Sequence, residues 1–150
     1  MLNFKSTKKG FTLIELLVVI GILATLLAIT LVAINPVRQF QQANNTKRSS
    51  DVNAILNAVN QYAANNRGAL PVGISSTTQT IADTGANICA SLITTYLAAL
   101  PADPSVGGGA AITTCVGAYS TGYTVLSGSD NRVTVSAPSA ELGAVISVTR

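Results

Sequence analysis

The first forty residues divide into a short polar leader and a long apolar run. The leader ends in KSTKKG, and residues 11–34 read FTLIELLVVIGILATLLAITLVAI, in which Glu15 is the one charged residue. The 19 uncharged positions of residues 16–34 would extend about 28 Å as a helix, close to the hydrocarbon thickness of a bilayer. The run is longer than the apolar core of a usual secretory signal peptide. Its best match to a small-x-small cleavage site, at residues 28–30, is poor. The pattern favours a retained membrane helix, with a removed signal peptide as the alternative.

A narrow apolar stripe continues the helical pattern beyond the membrane-length run. Its members recur at helical spacing before Gly68, and they are Val52, Ile55, Leu56, Val59, Tyr62 and Ala63. Gly68 is a natural helix terminator, so the pattern predicts one long helix over about residues 12–66. Pro36 cannot donate a main-chain hydrogen bond and is expected to kink this helix, and Gly21 is a second place where it can bend. The polar stretch 41–50 is expected to be exposed or locally irregular.

The rest of the chain consists of short apolar runs separated by polar loops. Residues 73–87 are small and polar and predict a loop, whereas residues 88–100 predict a second helix that ends at Pro101. Short β-branched runs then predict strands at residues 112–116, 122–127, 132–136 and 144–149. The strands predict a small antiparallel sheet, whose apolar face the amphipathic half of the long helix would cover. The predicted class is α+β, a long N-terminal α-helix packed on a small antiparallel β-sheet head.

The net charge of +3 belongs to the leader. Lys5, Lys8 and Lys9 precede Gly10, and the remainder carries six basic and six acidic residues. Lysines that flank a membrane helix stay in the cytoplasm, so the N-terminus is expected inside and the residues beyond about position 35 outside. A neutral remainder argues against nucleic acid as the main ligand.

The two cysteines, Cys89 and Cys115, lie in the part that is expected to be exported. An even count in an oxidising compartment favours one disulfide, which would close a loop across 26 positions. Two buried thiols are the alternative.

The residue types of the chain give little support for an enzyme. The chain has no histidine, and it lacks CxxC, P-loop and GxSxG patterns. Turn chemistry explains each acid in the C-terminal half more simply than paired-carboxylate catalysis does. The sequence therefore predicts no catalytic residue and no cofactor.

The residues that follow the leader resemble those of a known family. The hexapeptide GFTLIE, Gly10 to Glu15, is similar to the N-terminus of type IV pilins and of the pseudopilins of type II secretion and competence systems. The likeness covers residues 5–70 and is architectural only beyond them. It implies a pilin fold with three parts, a cytoplasmic prepilin leader at 1–10, a transmembrane and filament-core helix at 11–36, and an exported head at 37–150.

The resemblance also implies a route of processing and assembly. A membrane-embedded aspartyl prepilin peptidase would cut after Gly10 and N-methylate Phe11, and Glu15 would neutralise the Phe11 amine of an adjacent subunit and so set axial register. The product would polymerise with copies of itself and related minor pilins into a type IV pilus-like filament, driven by an assembly ATPase and an inner-membrane platform protein. Some pseudopilins bind calcium in the C-terminal loop, and Asp103 or Asp130 would be the candidates here. Two scattered acids fall short of the usual six to eight oxygen ligands, so no metal site is predicted.

Two other interpretations stay open. One is a pseudopilin of a type II secretion or competence (DNA-uptake) pseudopilus, and the other is a membrane-tethered adhesive or binding domain that never polymerises. All three place the chain in the cytoplasmic membrane as a single-pass protein in contact with lipid. As a pilus subunit or a pseudopilin, the chain would then enter a cell-surface or periplasmic filament.

Overall fold

The computed structural model describes residues 10–150, so the basic leader lies outside the described residues. Two compact units divide the chain, one up to Gln39 and the other Phe40–Arg150. The first contains helix α1 (Leu13–Ile34) and the start of helix α2 (Pro36–Asn65). The second, the head, contains the rest of α2, strand β1 (Gln79–Ala82), the one-turn helix α3 (Cys89–Leu92), and strands β2 (Ser120–Ser127), β3 (Val133–Ala137) and β4 (Ile146–Thr149).

The prediction of one helix over residues 12–66 is wrong at Asn35. This residue takes a left-handed conformation, with φ 45° and ψ 79°, and separates α1 from α2. The residue before a proline is disfavoured in the α region, and asparagine tolerates the left-handed region well. Pro36 then opens α2, a position where its missing N–H costs nothing, and the Asn35 side chain accepts a hydrogen bond from the Arg38 main chain at 3.3 Å.

The head is an antiparallel four-stranded sheet in the order β1-β2-β3-β4, with one face packed on α2. The predicted stripe supplies the helix side of the core, and Val52, Ile55, Leu56 and Val59 are fully buried. The sheet contributes inward-facing residues of alternating burial, among them Tyr123, Val125, Val133 and Val135. The predicted α+β class is therefore confirmed.

The polar stretch 41–50 is regular helix, and the expectation of an exposed or irregular segment is wrong at Arg48, which is buried. The helix ends near the predicted terminator. Gly68 has a positive φ of 87°, and its N–H donates to the Ala63 carbonyl at 2.8 Å.

Three local predictions in the head are corrected. The predicted loop 73–87 contains β1, which forms because it pairs with β2 some forty residues later. The predicted helix 88–100 shrinks to α3, because Ile93 is extended and Thr94 adopts a positive φ of 72°. The predicted strand 112–116 reduces to a bridge in which Ile112 and Leu100 exchange main-chain hydrogen bonds of 2.8 and 2.9 Å. The other three predicted strands are present as β2, β3 and β4.

Candidate functional site

Helix α1 begins with a capping box built from the motif residues. The Glu15 carboxylate accepts hydrogen bonds from the Thr12 main-chain N–H at 2.8 Å and from the Thr12 hydroxyl at 2.7 Å. In return the Thr12 hydroxyl accepts from the Glu15 N–H at 3.3 Å. Such reciprocal bonds satisfy two of the main-chain donors that every helix N-terminus leaves open. The box holds the acid folded back toward the start of the helix, close to Phe11 along the chain.

Gly10 and Phe11 precede the helix and are open to solvent. The Phe11 side chain is 81% exposed. A Cβ built on Gly10 would meet no atom within 4 Å, and its φ lies outside the left-handed region. Nothing in the described fold therefore requires a glycine at position 10.

Helix α1 presents apolar side chains on every side. In the part of the chain that the structure describes, none of its 22 residues is buried. Its length, about 33 Å at the usual rise per residue, and its composition fit one membrane crossing. A helix that is apolar all round is stable only when lipid or other helices cover it. The helix continues through Gly21 without a break, whereas Asn35 interrupts it one residue before Pro36.

The head contains a buried ion-pair network that sequence reasoning missed. Arg48 is 2% exposed and binds Asp103 through two contacts, Nε to Oδ2 at 2.7 Å and Nη2 to Oδ1 at 3.1 Å. Its Nη1 also reaches Glu141 at 2.8 Å and the Asn45 side-chain oxygen at 3.0 Å. The network ties α2 to two segments that lie far along the chain.

Electrostatics keep this network charged. The bonds to Asp103 raise the pKa of Arg48 above its ordinary value, although burial opposes this. Burial raises the pKa of Asp103, but hydrogen bonds from Arg48 and from the hydroxyl and N–H of Ser105 outweigh it and leave that pKa below its ordinary value. The hydrogen bonds from Arg48 and Asn44 lower the pKa of Glu141.

A second polar contact joins α2 to the sheet. Asp51 accepts hydrogen bonds from the Tyr123 hydroxyl and the Lys47 ammonium group, both at 2.8 Å, and Lys47 also donates to the Ala102 carbonyl at 2.7 Å. Burial, together with the bond to Asp51, raises the pKa of Tyr123. Tyr123 therefore stays a neutral hydrogen-bond donor inside the core.

The two cysteines form a disulfide. Cys89 at the start of α3 and Cys115 are linked, with their Cα atoms 5.6 Å apart. The bond fastens the loop before β2 to α3, in which Cys89 is buried. The sequence left open a disulfide or two buried thiols, and the structure contains the disulfide.

The two calcium candidates lie in different settings. Both oxygens of Asp103 already accept hydrogen bonds from Arg48 or Ser105. Asp130 lies in the turn between β2 and β3, where its side chain accepts from the Arg132 main-chain N–H at 3.2 Å. Among residues 10–150 no three side chains of the usual ligand types converge on a metal-sized site.

Sequence reasoning singled out the N-terminal residues and missed Arg48, although one signal was present. Arg48 falls four residues before Val52, the first member of the apolar stripe, and therefore on the core-facing side of the helix. A charged residue on that side implies a buried partner. Its identity was not readable, since Asp103 and Glu141 are 55 and 93 positions away.

Comparison with known proteins bears on the N-terminal segment. A family model described as the prokaryotic N-terminal methylation motif matches residues 5–31. The match confirms the resemblance at GFTLIE and includes most of α1. Comparison with curated proteins and with solved structures found no match.

Proposed function

We propose that this chain, whose N-terminal segment is that of a type IV pilin or pseudopilin precursor, is a structural subunit that polymerises into a pilus-like filament. One observation carries the proposal: the methylation motif coincides with an apolar helix that has no buried residue and whose single acid lies at its start. The motif points to a structural subunit rather than an enzyme. The α+β architecture is consistent with the pilin fold.

The first step is removal of the leader by a prepilin peptidase, which cuts after Gly10 and N-methylates Phe11. The exposed main chain before α1 supports this step, because a peptidase needs access to an extended peptide bond. Glycine lets catalytic groups approach that bond closely, since it has no Cβ. The lack of any fold-based need for glycine at position 10 agrees with such a role.

Helix α1 serves first as a membrane anchor and then as the filament core. In lipid, an apolar helix of this length spans the bilayer with the head outside. When an assembly ATPase and a platform protein extract the subunit, the same surface must be buried against α1 of other subunits. No new surface is needed for the transfer, because the whole helix is already apolar.

Glu15 is the residue that sets the register between subunits. In the free chain the capping box uses its carboxylate. Removal of the leader creates an amine at Phe11, and in the filament the Phe11 amine of an adjacent subunit neutralises Glu15. A wrong stagger leaves both charges buried and unpaired, which costs more than the pair gains. The charge pair thus acts chiefly by excluding wrong arrangements.

Substitution of Glu15 tests the proposal, and the capping box provides a matched control. Glu15→Ala removes the charge and the box, whereas Glu15→Gln removes the charge and keeps a side chain that can complete the box. Thr12→Ala keeps the charge and loses the cap, at a cost of about 1 kcal/mol to the helix end. We expect both Glu15 variants to insert in the membrane and to lose filaments in electron micrographs of sheared surface material, and Thr12→Ala to retain them.

Filaments of normal length from Glu15→Gln would contradict the role of the charge, since only the cap would then matter. Fibre length also separates the two assembly products. Long surface fibres indicate a pilus, and short fibres confined to the envelope indicate a secretion or competence pseudopilus.

A further inference from the structure

The two edges of the head sheet differ in how they are protected. At the β1 edge the following loop folds back, and the Ala86 N–H donates to the Thr80 carbonyl at 2.8 Å. The approach is so close that a Cβ on Gly85 would collide with that carbonyl oxygen. Strand β4 forms the opposite edge and pairs only with β3 in the described sheet. The β4 edge is therefore the one at which another strand can add.

The hydrogen-bond pattern shows which main-chain groups of β4 point outward. Val133 and Arg150 exchange two bonds, of 2.7 and 3.0 Å, and so form a hydrogen-bonded pair. Such pairs alternate along an antiparallel ladder, so Val148 and Ile146 also face β3 with their main-chain groups. Ser147 and Thr149 consequently direct their N–H and C=O groups away from the sheet. A free strand edge of this kind is a template for pairing.

Apart from its short length of four residues, strand β4 lacks the usual features that block such pairing. Residues 144–149 read AVISVT, with no charge and no proline. Val145 is 93% exposed. Ile146 and Val148 are half-buried, so part of their apolar surface remains uncovered on the side that faces α2.

A groove beside this edge leaves room for added side chains. It has a volume of about 570 Å³ and lies between α2 and the start of β4. Ala144 and Ile146 line one side, and small polar residues of α2, including Ser49 and Asn53, line the other. The groove is shallow and open, so side chains of an added strand can lie against it.

We propose that the β4 edge binds the β4 edge of a second copy of this chain, antiparallel and centred on Ser147. Val145 of each copy then lies opposite Thr149 of the other, and both exchange main-chain hydrogen bonds. Ile146 lies opposite Val148 on the α2 side, so each copy places an aliphatic pair beside the groove of the other. No like charges meet in this register, because the segment is uncharged. The short strand makes the pairing weak and reversible.

Disulfide trapping tests the pairing in the full chain in detergent micelles. Residues opposite each other in a hydrogen-bonded pair have Cα atoms about 5.5 Å apart, within the range that a disulfide spans. Under mild oxidation, Ser147→Cys should give a covalent dimer linked between the two positions 147, identified by non-reducing electrophoresis and peptide mass spectrometry. Ser129→Cys, on an exposed turn of the same head, is the control for random collision and should give little dimer.

Two changes at Thr149 separate main-chain pairing from side-chain effects. In the Ser147→Cys background, Thr149→Pro removes an outward N–H from each copy. Thr149→Ala keeps that N–H and removes the γ-methyl group and the hydroxyl that contacts Thr134. We expect about a tenfold loss of trapped dimer for proline, because two hydrogen bonds are lost per dimer, and little loss for alanine. Equal trapping at positions 129 and 147, or trapping that proline does not reduce, would overturn the proposal.

The outcome is independent of filament assembly. The proposed pairing uses residues of the head alone, so it should persist when Glu15→Ala is added and filaments are lost. Loss of trapping in the Glu15→Ala background would assign the dimer to α1 and would overturn the β4 pairing.

Discussion

At the scale of single residues, Glu15 combines two roles that act at different stages. In the free chain it completes the capping box with Thr12, which stabilises the start of α1. In the proposed filament the same carboxylate has an intermolecular partner. Gly10 differs, because nothing in the described structure depends on its lack of a side chain. Its requirement is therefore expected to appear only in processing.

Gly10→Val should leave the fold unchanged and block leader removal. The added side chain has open space in the structure, but it would obstruct a peptidase that must approach the main chain. The measurement is the mass of the membrane-extracted protein, which should remain that of the uncut chain. Gly21→Val is the matched control, since it also adds a valine where no neighbouring atom lies within 4 Å, and it should be cut normally. Normal cleavage of Gly10→Val would contradict the cleavage site.

At the scale of elements, α2 is attached to the head by an apolar stripe and by a buried cation. The stripe packs on the sheet, and Arg48 bonds the segments that carry Asp103 and Glu141. A buried ion pair adds little net stability over an apolar substitute, but loss of one partner leaves an uncompensated charge. Arg48 is thus expected to govern the position of α2 relative to both segments.

Arg48→Met should lower the free energy of unfolding of the head by about 3–5 kcal/mol, because Asp103 would remain buried without its cation. Arg132→Met is the matched control. Its contact with Asp130 is 4.0 Å long and both side chains are more than half exposed, so the expected loss is about 0–1 kcal/mol. Urea unfolding of the full chain in detergent, followed by circular dichroism, measures both. The double variant with Asp103→Leu should recover part of the loss, and equal losses in the two single variants would refute the assignment.

At the scale of the whole molecule, the chain has two different parts. Helix α1 is apolar and has no buried residue, whereas the head has a hydrophobic core of its own. Apart from the leader, basic and acidic residues balance in number. The change in stability of the head with pH follows from the carboxylates whose pKa differs between the folded and unfolded chain. Asp103 and Glu141 are the two whose pKa values the Arg48 network lowers.

The stability of the head should fall as the pH drops below about 4, the ordinary range for these carboxyls in an unfolded chain. Both folded pKa values are lowered, so the unfolded chain binds protons more readily and the stabilisation disappears as pH falls toward the folded values. The measurement is the urea midpoint between pH 6 and pH 3. In Arg48→Met the buried Asp103 loses its cation, so its pKa should rise, and the midpoint should increase on mild acidification. A midpoint in Arg48→Met that follows the wild-type curve would contradict this account.

The chain alone identified the features that depend on neighbouring positions. The basic leader, GFTLIE and the apolar run are contiguous, and the stripe from Val52 to Tyr62 follows the period of one helix. The strands β2, β3 and β4 were also predictable, because β-branched runs and turn residues are local signals. The presence of just two cysteines limited the possible disulfide to one pair.

Only the tertiary structure decided the features that depend on distant residues. The polar strand β1 forms through pairing with β2. The predicted helix 88–100 stops after Leu92, where Ile93 is extended, and Leu100 bonds Ile112 instead of continuing a helix. Arg48 binds Asp103 and Glu141, which lie 55 and 93 positions away in the sequence. The open edge at β4 and the closed edge at β1 likewise depend on which loop folds back. Local patterns specify a helix or a strand, whereas the partner of a buried charge or a strand edge is set by the packing of segments that are remote in sequence.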